Sequence, residues 1–277
     1  MGTLYLVATP IGNLEDVTLR ALRVLKQATL VAAEDTRHTG RLLSHYDIHT
    51  PLVSYHEHNK IARLDKILAA LADGDVALVS DAGTPALNDP GYELVRAALQ
   101  AGFQVSPVPG ASAPLAALVT SGLPTDAFLY LGYLPRKASE RRRLLEQVAG
   151  LTYTLIFLET PHRLLAALQD LQAVLGDRPA AVARELTKLH EQIYRGTLSA
   201  AQAYFKEHEP RGEFTLVIGG MIELGEPWAE ADLRQALQLA LSAGQPPSQA
   251  ARVLAARSGW PKSSVYDLIQ EMSSDDQ

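Results

Sequence analysis

The chain has 277 residues, of which 47% are hydrophobic and 20% charged, with a formal net charge of −6. The absence of cysteine excludes disulfides, thiolate nucleophiles and cysteine-ligated zinc or iron–sulfur centres, and fits a reducing, cytoplasmic setting. An acidic balance argues against a general phosphate-coating protein, and MGTLYLVATP lacks both the basic start of a signal peptide and the length of a membrane span.

This length suits two α/β domains or one large one. Residues 3–9 read as a first strand, turned by Pro10, Ile11, Gly12 and Asn13 toward a helix with Leu19, Leu22 and Leu25 at helical spacing. Strand, glycine turn and helix suit a nucleotide, but no GxGxxG follows, so a dinucleotide site is not expected. Residues 30–33 form a second strand that delivers Glu34, Asp35, Thr36, Arg37 and Thr39. Two carboxylates and an arginine at a strand end could position a hydroxyl or a phosphate, and Asp35 or Thr36 could equally cap the helix through Leu42 and Leu43. A third strand at 51–55 leads into His56, Glu57, His58 and Asn59. The two histidines lie on opposite faces of extended chain, so a polar substrate contact by His58 or Asn59 suits them better than a shared metal.

The organising stretch is DVALVSDAGTPALNDPG, residues 75–91. Residues 76–80 read as a parallel strand buried on both faces. Asp81, Gly83, Thr84 and Pro85 then supply a carboxylate, a residue without Cβ and a fixed φ at a strand's carboxyl end, where open α/β sheets bind ligands. A cofactor is expected here; a plain loop with Asn88, Asp89 and Pro90 starting the helix of Leu94, Val95 and Ala98 has the same pattern. A fifth strand at 103–108 is followed by PGASA, where Gly110 and Ser112 open a helix over 114–120 whose free N–H groups favour polar or negative oxygen. Three strand-end turns can thus converge on one crevice.

SGLPTD at 121–126 has the composition of a linker, which divides the chain into an N-terminal α/β domain (1–122), a second α/β domain (123–224) and a helical tail (225–277). The second domain carries expected strands at 127–133, 153–158, 180–184, 191–196 and 214–219, and helices at 138–149, 161–174 and 198–206. More antiparallel pairing is expected there, because 191–196 follows 180–184 after a short turn. LPRKASERRR, residues 134–143, puts Arg136, Lys137, Arg141, Arg142 and Arg143 into an acidic chain, as a phosphate site or a solvated helix face. Glu159, Thr160, Pro161, His162 and Arg163, and later Arg184, Glu185, Lys188 and His190, follow apolar strands and either pair across the two clusters or face a cleft. After Glu226 come three short helices, with Ser248 and Ser263 as candidate N-caps, in a helix-turn-helix or helical-cap pattern.

Taken together, ATPIGNLEDVTLRAL, EDTRHT, SYHEHN, SDAGTPALNDPG, PVPGASA, GYLPRKASERRR, ETPHR, RELTKLHE and GEFTLVIGG resemble the 16S ribosomal RNA 2′-O-ribose methyltransferases of the tetrapyrrole methylase superfamily, from Leu4 to about Gly220. The tail resembles the small helix-turn-helix domain appended to those enzymes. The resemblance implies an α/β fold with two domains of the class III methyltransferase type, S-adenosylmethionine in the cleft between them, and a homodimer with no membrane association. It assigns cofactor contacts to Pro10, Ala82, Gly83, Thr84, Leu87, Ser112, Ala113, Leu158 and Glu159, with Asp81 nearby. Relatives that methylate tetrapyrroles carry a GGDP-like loop where this chain has AGTP at 82–85, which moves the aspartate.

The implied reaction is in-line displacement of the sulfonium methyl by a ribose hydroxyl of 16S rRNA, at a cytidine of the decoding centre, which depends on alignment more than on nucleophile strength. Glu34, Asp35 and Glu159 are the candidates to accept the hydroxyl proton. Arg37, Arg136, Lys137, Arg163, Arg184 and Lys188 are candidates for RNA phosphates and Asn59 for a polar contact, with no metal. Two rivals remain open on sequence: methylation of a small tetrapyrrole precursor, and a non-catalytic RNA-binding assembly factor. The basic run and helical tail favour RNA, and the intact SDAGTP and PGASA turns favour an enzyme.

Overall fold

The computed structural model describes residues 2–221 and 228–275, which fall into two compact units, Met1–Met221 and Ile222–Gln277. The first unit holds two sheets. The N-terminal one is built from β1 (Thr3–Val7), β2 (Leu30–Ala33), β3 (Leu52–Ser54), β4 (Val76–Val79) and β5 (Gln104–Val108), in the order β3-β2-β4-β1-β5 with every pairing parallel. Every residue of β2 and β4 is buried, as an apolar run covered by helices on both faces requires. Those helices are α1 (Leu19–Gln27), α2 (Thr36–His45), α3 (Lys60–Asp73) and α4 (Tyr92–Gln100), and α5 (Ala113–Ser121) follows β5. All five strands lie where residue pattern placed them, to within two residues at either end.

The second sheet runs β6-β7-β10-β8-β9, from β6 (Phe128–Tyr133), β7 (Thr154–Glu159), β8 (Pro179–Arg184), β9 (Gln192–Thr197) and β10 (Phe214–Ile218). Only β6 and β7 pair in parallel, because α6 (Ala138–Val148) crosses between them; β7-β10, β10-β8 and β8-β9 are antiparallel, as the short connection after β8 predicts. α7 (Leu164–Leu175) and α8 (Leu198–Glu207) cover one face, where Phe157, Leu168, Phe205 and Leu216 form a core. The other face packs Ile156, Ala181 and Val217 against Ala117 and Leu118 of α5 and Ile11.

Three local expectations change. Asn88, Asp89 and Pro90 do not start α4: Ala86 and Asn88 both have φ of 67°, so the loop continues in left-handed turns to Gly91, and the helix begins at Tyr92. Ser248 and Ser263 lie inside the first turns of α10 (Pro247–Ser258) and α11 (Lys262–Asp275), because Pro246 and Pro261 already halt the preceding chain. The Glu159 and Arg184 clusters pair internally rather than with each other: Arg163 with Glu159, and Lys188 with Glu185 and with nearby Glu213.

The second unit consists of α9 (Glu230–Ser242), α10 and α11 around Leu233, Leu237, Ala251, Leu254, Val265 and Leu268. Gly259, at φ 73°, ends α10, and the Trp260 Nε1–H donates to the Trp228 carbonyl at 2.7 Å. Among the described residues, no helix of either unit is long and apolar enough to cross a membrane.

Candidate active site

The three strand-end turns meet. Thr9 and Gly83 exchange backbone hydrogen bonds at 2.9 and 3.0 Å, and the Thr84 hydroxyl donates to the Ala111 carbonyl at 3.4 Å. Gly83 has φ of 77°, a conformation that disfavours a side chain, and a Cβ there would sit 3.4 Å from Ile11 Cγ2. Gly110 packs closer still, since a Cβ there would meet that of Ala8 at 3.0 Å.

These turns floor a cleft of about 300 Å³ whose opposite wall comes from the second sheet, through Tyr130, Tyr133, Leu158, Ala183 and Phe214. Asp81, Ala82, Gly83, Thr84, Leu87, Ser112, Ala113, Leu158 and Glu159 all line it; Pro10 does not, and instead lines a neighbouring cavity of about 610 Å³. Ser112 makes no side-chain cap to α5, and because Pro114 carries no N–H, Ala113 is the first-turn residue of that helix that both lines the cleft and has a backbone donor.

Carboxylates crowd one end of the cleft. Asp81 N–H donates to Glu34 Oε2 at 3.3 Å, and Asp35 N–H donates to Asp81 Oδ1 at 3.0 Å. Burial pushes the Glu34 carboxyl up, against the pull of the Asp81 N–H, and the Asp81 charge adds to the rise. Asp89 also lines the cleft, and burial with the charge of Glu34 pushes it up to about 6. The sequence pattern suggests Asp89 as a helix-starting residue; the available signal for the cleft was a second carboxylate within the loop that carries Asp81.

The other two proton-acceptor candidates are engaged differently. Asp35 caps α2 by accepting from Arg37 N–H at 2.8 Å, and its second oxygen binds the Arg37 guanidinium at 2.7 Å, a hydrogen bond that holds its carboxyl far below the usual range. Glu159 ends β7 with its side chain fully enclosed, accepting from Thr160 N–H at 2.8 Å and Arg163 at 3.1 Å; burial nonetheless pushes it up.

Among the basic candidates, Lys188 lines the larger cavity, tied to Glu185 and Glu213 at 2.9 and 3.0 Å. Arg163 donates to the Leu134 and Pro135 carbonyls and so anchors the start of the basic run. Arg141, buried at 5% exposure, binds Asp170 and the Pro135 and Arg136 carbonyls, while Arg142 takes the other Asp170 oxygen at 2.7 Å. Arg136, Lys137, Arg142 and Arg143 are the members of that run that face solvent, Arg142 while holding Asp170. Arg184 donates to the Arg211 carbonyl at 2.8 Å, and Arg37 is exposed. Asn59 serves its own loop, accepting from His56 N–H at 2.8 Å and donating to Ser54 Oγ at 3.1 Å.

Comparison with known proteins agrees with this architecture. Residues 3–202 match the family model of tetrapyrrole (corrin/porphyrin) methylases. The ribosomal RNA small subunit methyltransferase I of Synechocystis sp. is 51% identical over 99% of this chain and 100% of its own length. That of Escherichia coli O157:H7 is 46% identical over 98% and 95%, and that of Bacillus subtilis 44% identical over 96% and 94%. Among solved structures, the uroporphyrin-III-C-methyltransferase of Thermus thermophilus superimposes with a TM-score of 0.54 at 25% identity, covering 79% of this chain and 94% of that one. The methyltransferase CobJ gives 0.60 at 19% identity over 79% and 95%, a likeness of fold. On these grounds the chain belongs to the tetrapyrrole methylase family, in its branch of ribosomal RNA small subunit methyltransferases I.

Proposed function

We propose that this methyltransferase transfers the methyl group of S-adenosylmethionine to the 2′-hydroxyl of a ribose in 16S rRNA, acting in the cytoplasm as a homodimer on the small ribosomal subunit. The observation that carries the reading is the likeness to small-subunit rRNA methyltransferases over 99% of the chain, helical tail included. The cleft supports the cofactor. Carboxylates of Glu34, Asp81 and Asp89 suit a sulfonium cation, Leu158, Ala183 and Phe214 offer an apolar wall for a purine, and Ser112 with Ala113 at the start of α5 offers polar donors to a carboxylate.

When bound, S-adenosylmethionine supplies an electrophilic methyl group whose leaving sulfur becomes a neutral thioether. The protein's own contribution is alignment and a proton acceptor. The Thr9–Gly83 bridge and the Thr84–Ala111 hydrogen bond hold the three turns in fixed register, so the residues that would hold the cofactor are ordered before it binds. Glu34 is our assignment for the group that takes the hydroxyl proton. One of its oxygens is fixed by Asp81 N–H, and burial raises its affinity for protons, which favours proton acceptance. Asp35 and Glu159 then act as supports, the first for α2 and the second for the start of the basic run. Arg37, Arg136, Lys137 and Arg184 remain our candidates for RNA phosphates, whereas the Lys188 charge is already met by Glu185 and Glu213.

The test uses unmethylated small subunits from a strain lacking the gene, incubated with the protein and methyl-labelled S-adenosylmethionine. Label in alkali-resistant dinucleotides of 16S rRNA is the expected outcome. Cofactor binding without label in RNA would overturn the reading in favour of a small-molecule substrate.

A further inference from the structure

The cavity of about 610 Å³ next to the cleft has no role in the account so far. One wall is the face of α2 that carries His38, Arg41 and His45, spaced three and four residues apart and therefore on one side of the helix. The facing wall is the turn after β1, Pro10 to Gly12 with Leu14, and Lys188. Gly12 lets that turn close on the second sheet's loop: a Cβ there would meet Lys188 Cγ at 2.4 Å and the Leu186 carbonyl at 2.9 Å. Lys188 is neutralised by Glu185 and Glu213, but Arg41 has no carboxylate partner among the described residues. The two cavities share Ile11, Asp81, Ala82 and Glu213, so an occupant of the larger one reaches the cleft across a single wall.

We infer that the larger cavity seats the target nucleotide, taken out of its stack, with Arg41 and His38 holding a flanking phosphate and the ribose edge turned toward Ala82 and Asp81. This rests on the proposed ribose methylation. The volume suits a nucleotide-sized ligand, selective recognition of one nucleotide in RNA works on unpaired residues splayed into a pocket, and an unpartnered guanidinium beside a roomy pocket matches phosphate rather than an apolar ring. It also accounts for the separation of Pro10 from the other candidate cofactor residues: the turn it begins lies between the two ligands.

The experiment measures binding of the full-length protein to unmethylated small subunits at several salt concentrations, with calorimetric titration of S-adenosylmethionine alongside. Arg41→Glu is expected to weaken subunit binding about tenfold or more and to lower the salt slope by at least about one counterion, with cofactor affinity within about twofold of wild type. Leu14→Trp, which fills the cavity from an exposed position outside the cleft, is expected to raise KM for subunits with unchanged cofactor affinity. Both variants binding subunits like wild type would overturn the inference, as would loss of cofactor affinity in Leu14→Trp, which would make the cavity part of the cofactor site. Wild-type protein that binds subunits but transfers no methyl would contradict the proposed reaction, and the salt slopes would still decide the role of Arg41.

Discussion

Glu34 and Asp81 are laced together at the ends of adjacent strands: Asp81 N–H donates to Glu34 Oε2 at 3.3 Å while Asp81 Oδ1 accepts from the residue after Glu34 at 3.0 Å. The pairing of β2 with β4 puts both carboxylates at the same height above the sheet, facing the cleft. Glu34→Gln keeps the shape and the acceptor for Asp81 N–H but abolishes proton acceptance. We expect kcat to fall about 100-fold with cofactor affinity within a few-fold, measured by single-turnover methyl transfer and calorimetry. Unchanged turnover would remove Glu34 as the base.

Asp35 separates a supporting role from a chemical one. Its carboxylate caps α2, a function asparagine performs about as well and alanine does not. Asp35→Asn is therefore expected to retain turnover, and Asp35→Ala to lose about 1 kcal/mol of stability in urea unfolding. A large loss of turnover in the asparagine variant at full stability would return Asp35 to the list of bases.

The Asp89 carboxyl has a pKa of about 6 in the folded protein against 3.8 for its ordinary value, so the folded state holds its proton to higher pH. Stability from this group is present at low pH and is lost as pH rises from about 4 through 6, because the unfolded chain ionises first. Asp89→Asn removes that loss. Relative to wild type, the variant should gain on the order of 1 kcal/mol more at pH 8 than at pH 5 in urea unfolding without cofactor. An equal difference at both pH values would contradict the burial of this group.

Arg141 and Asp170 form a buried pair with Arg142 on the second carboxylate oxygen, and although burial pushes the Asp170 carboxyl up, the two arginines outweigh it and hold it low. Asp170→Ala strands a buried guanidinium and is expected to cost about 3 kcal/mol, whereas Arg142→Ala removes an exposed partner and should cost less than about 1 kcal/mol. Because Arg141 also binds the Pro135 and Arg136 carbonyls, the first variant should loosen that loop as well, seen as faster amide exchange there.

The strands were legible because buried parallel strands leave continuous apolar runs and antiparallel neighbours follow short turns. The loops were less so. Asn88 is a residue that tolerates the left-handed region, but nothing local announces left-handed Ala86, which sits so close to Gly91 that a Cβ on Gly91 would meet its own at 2.6 Å. In the LPRKASERRR run, charge alone could not tell the buried Arg141 from the exposed Arg143; the signal was Asp170, a carboxylate on the buried stripe of α7, which needs a cationic partner. The three helices of the tail were readable from the glycine-containing turns between them. What they bind was not, since α11 carries Lys262 together with Asp267 and Glu271.

The most direct test of the account is mass spectrometry of nucleosides and mapped fragments from 16S rRNA of a deletion strain, complemented with wild-type protein or with Glu34→Gln. The account predicts one 2′-O-methylated cytidine that vanishes on deletion, returns with the wild-type protein and stays absent or strongly reduced with Glu34→Gln. Ribose methylation identical in the deletion and wild-type strains would contradict it.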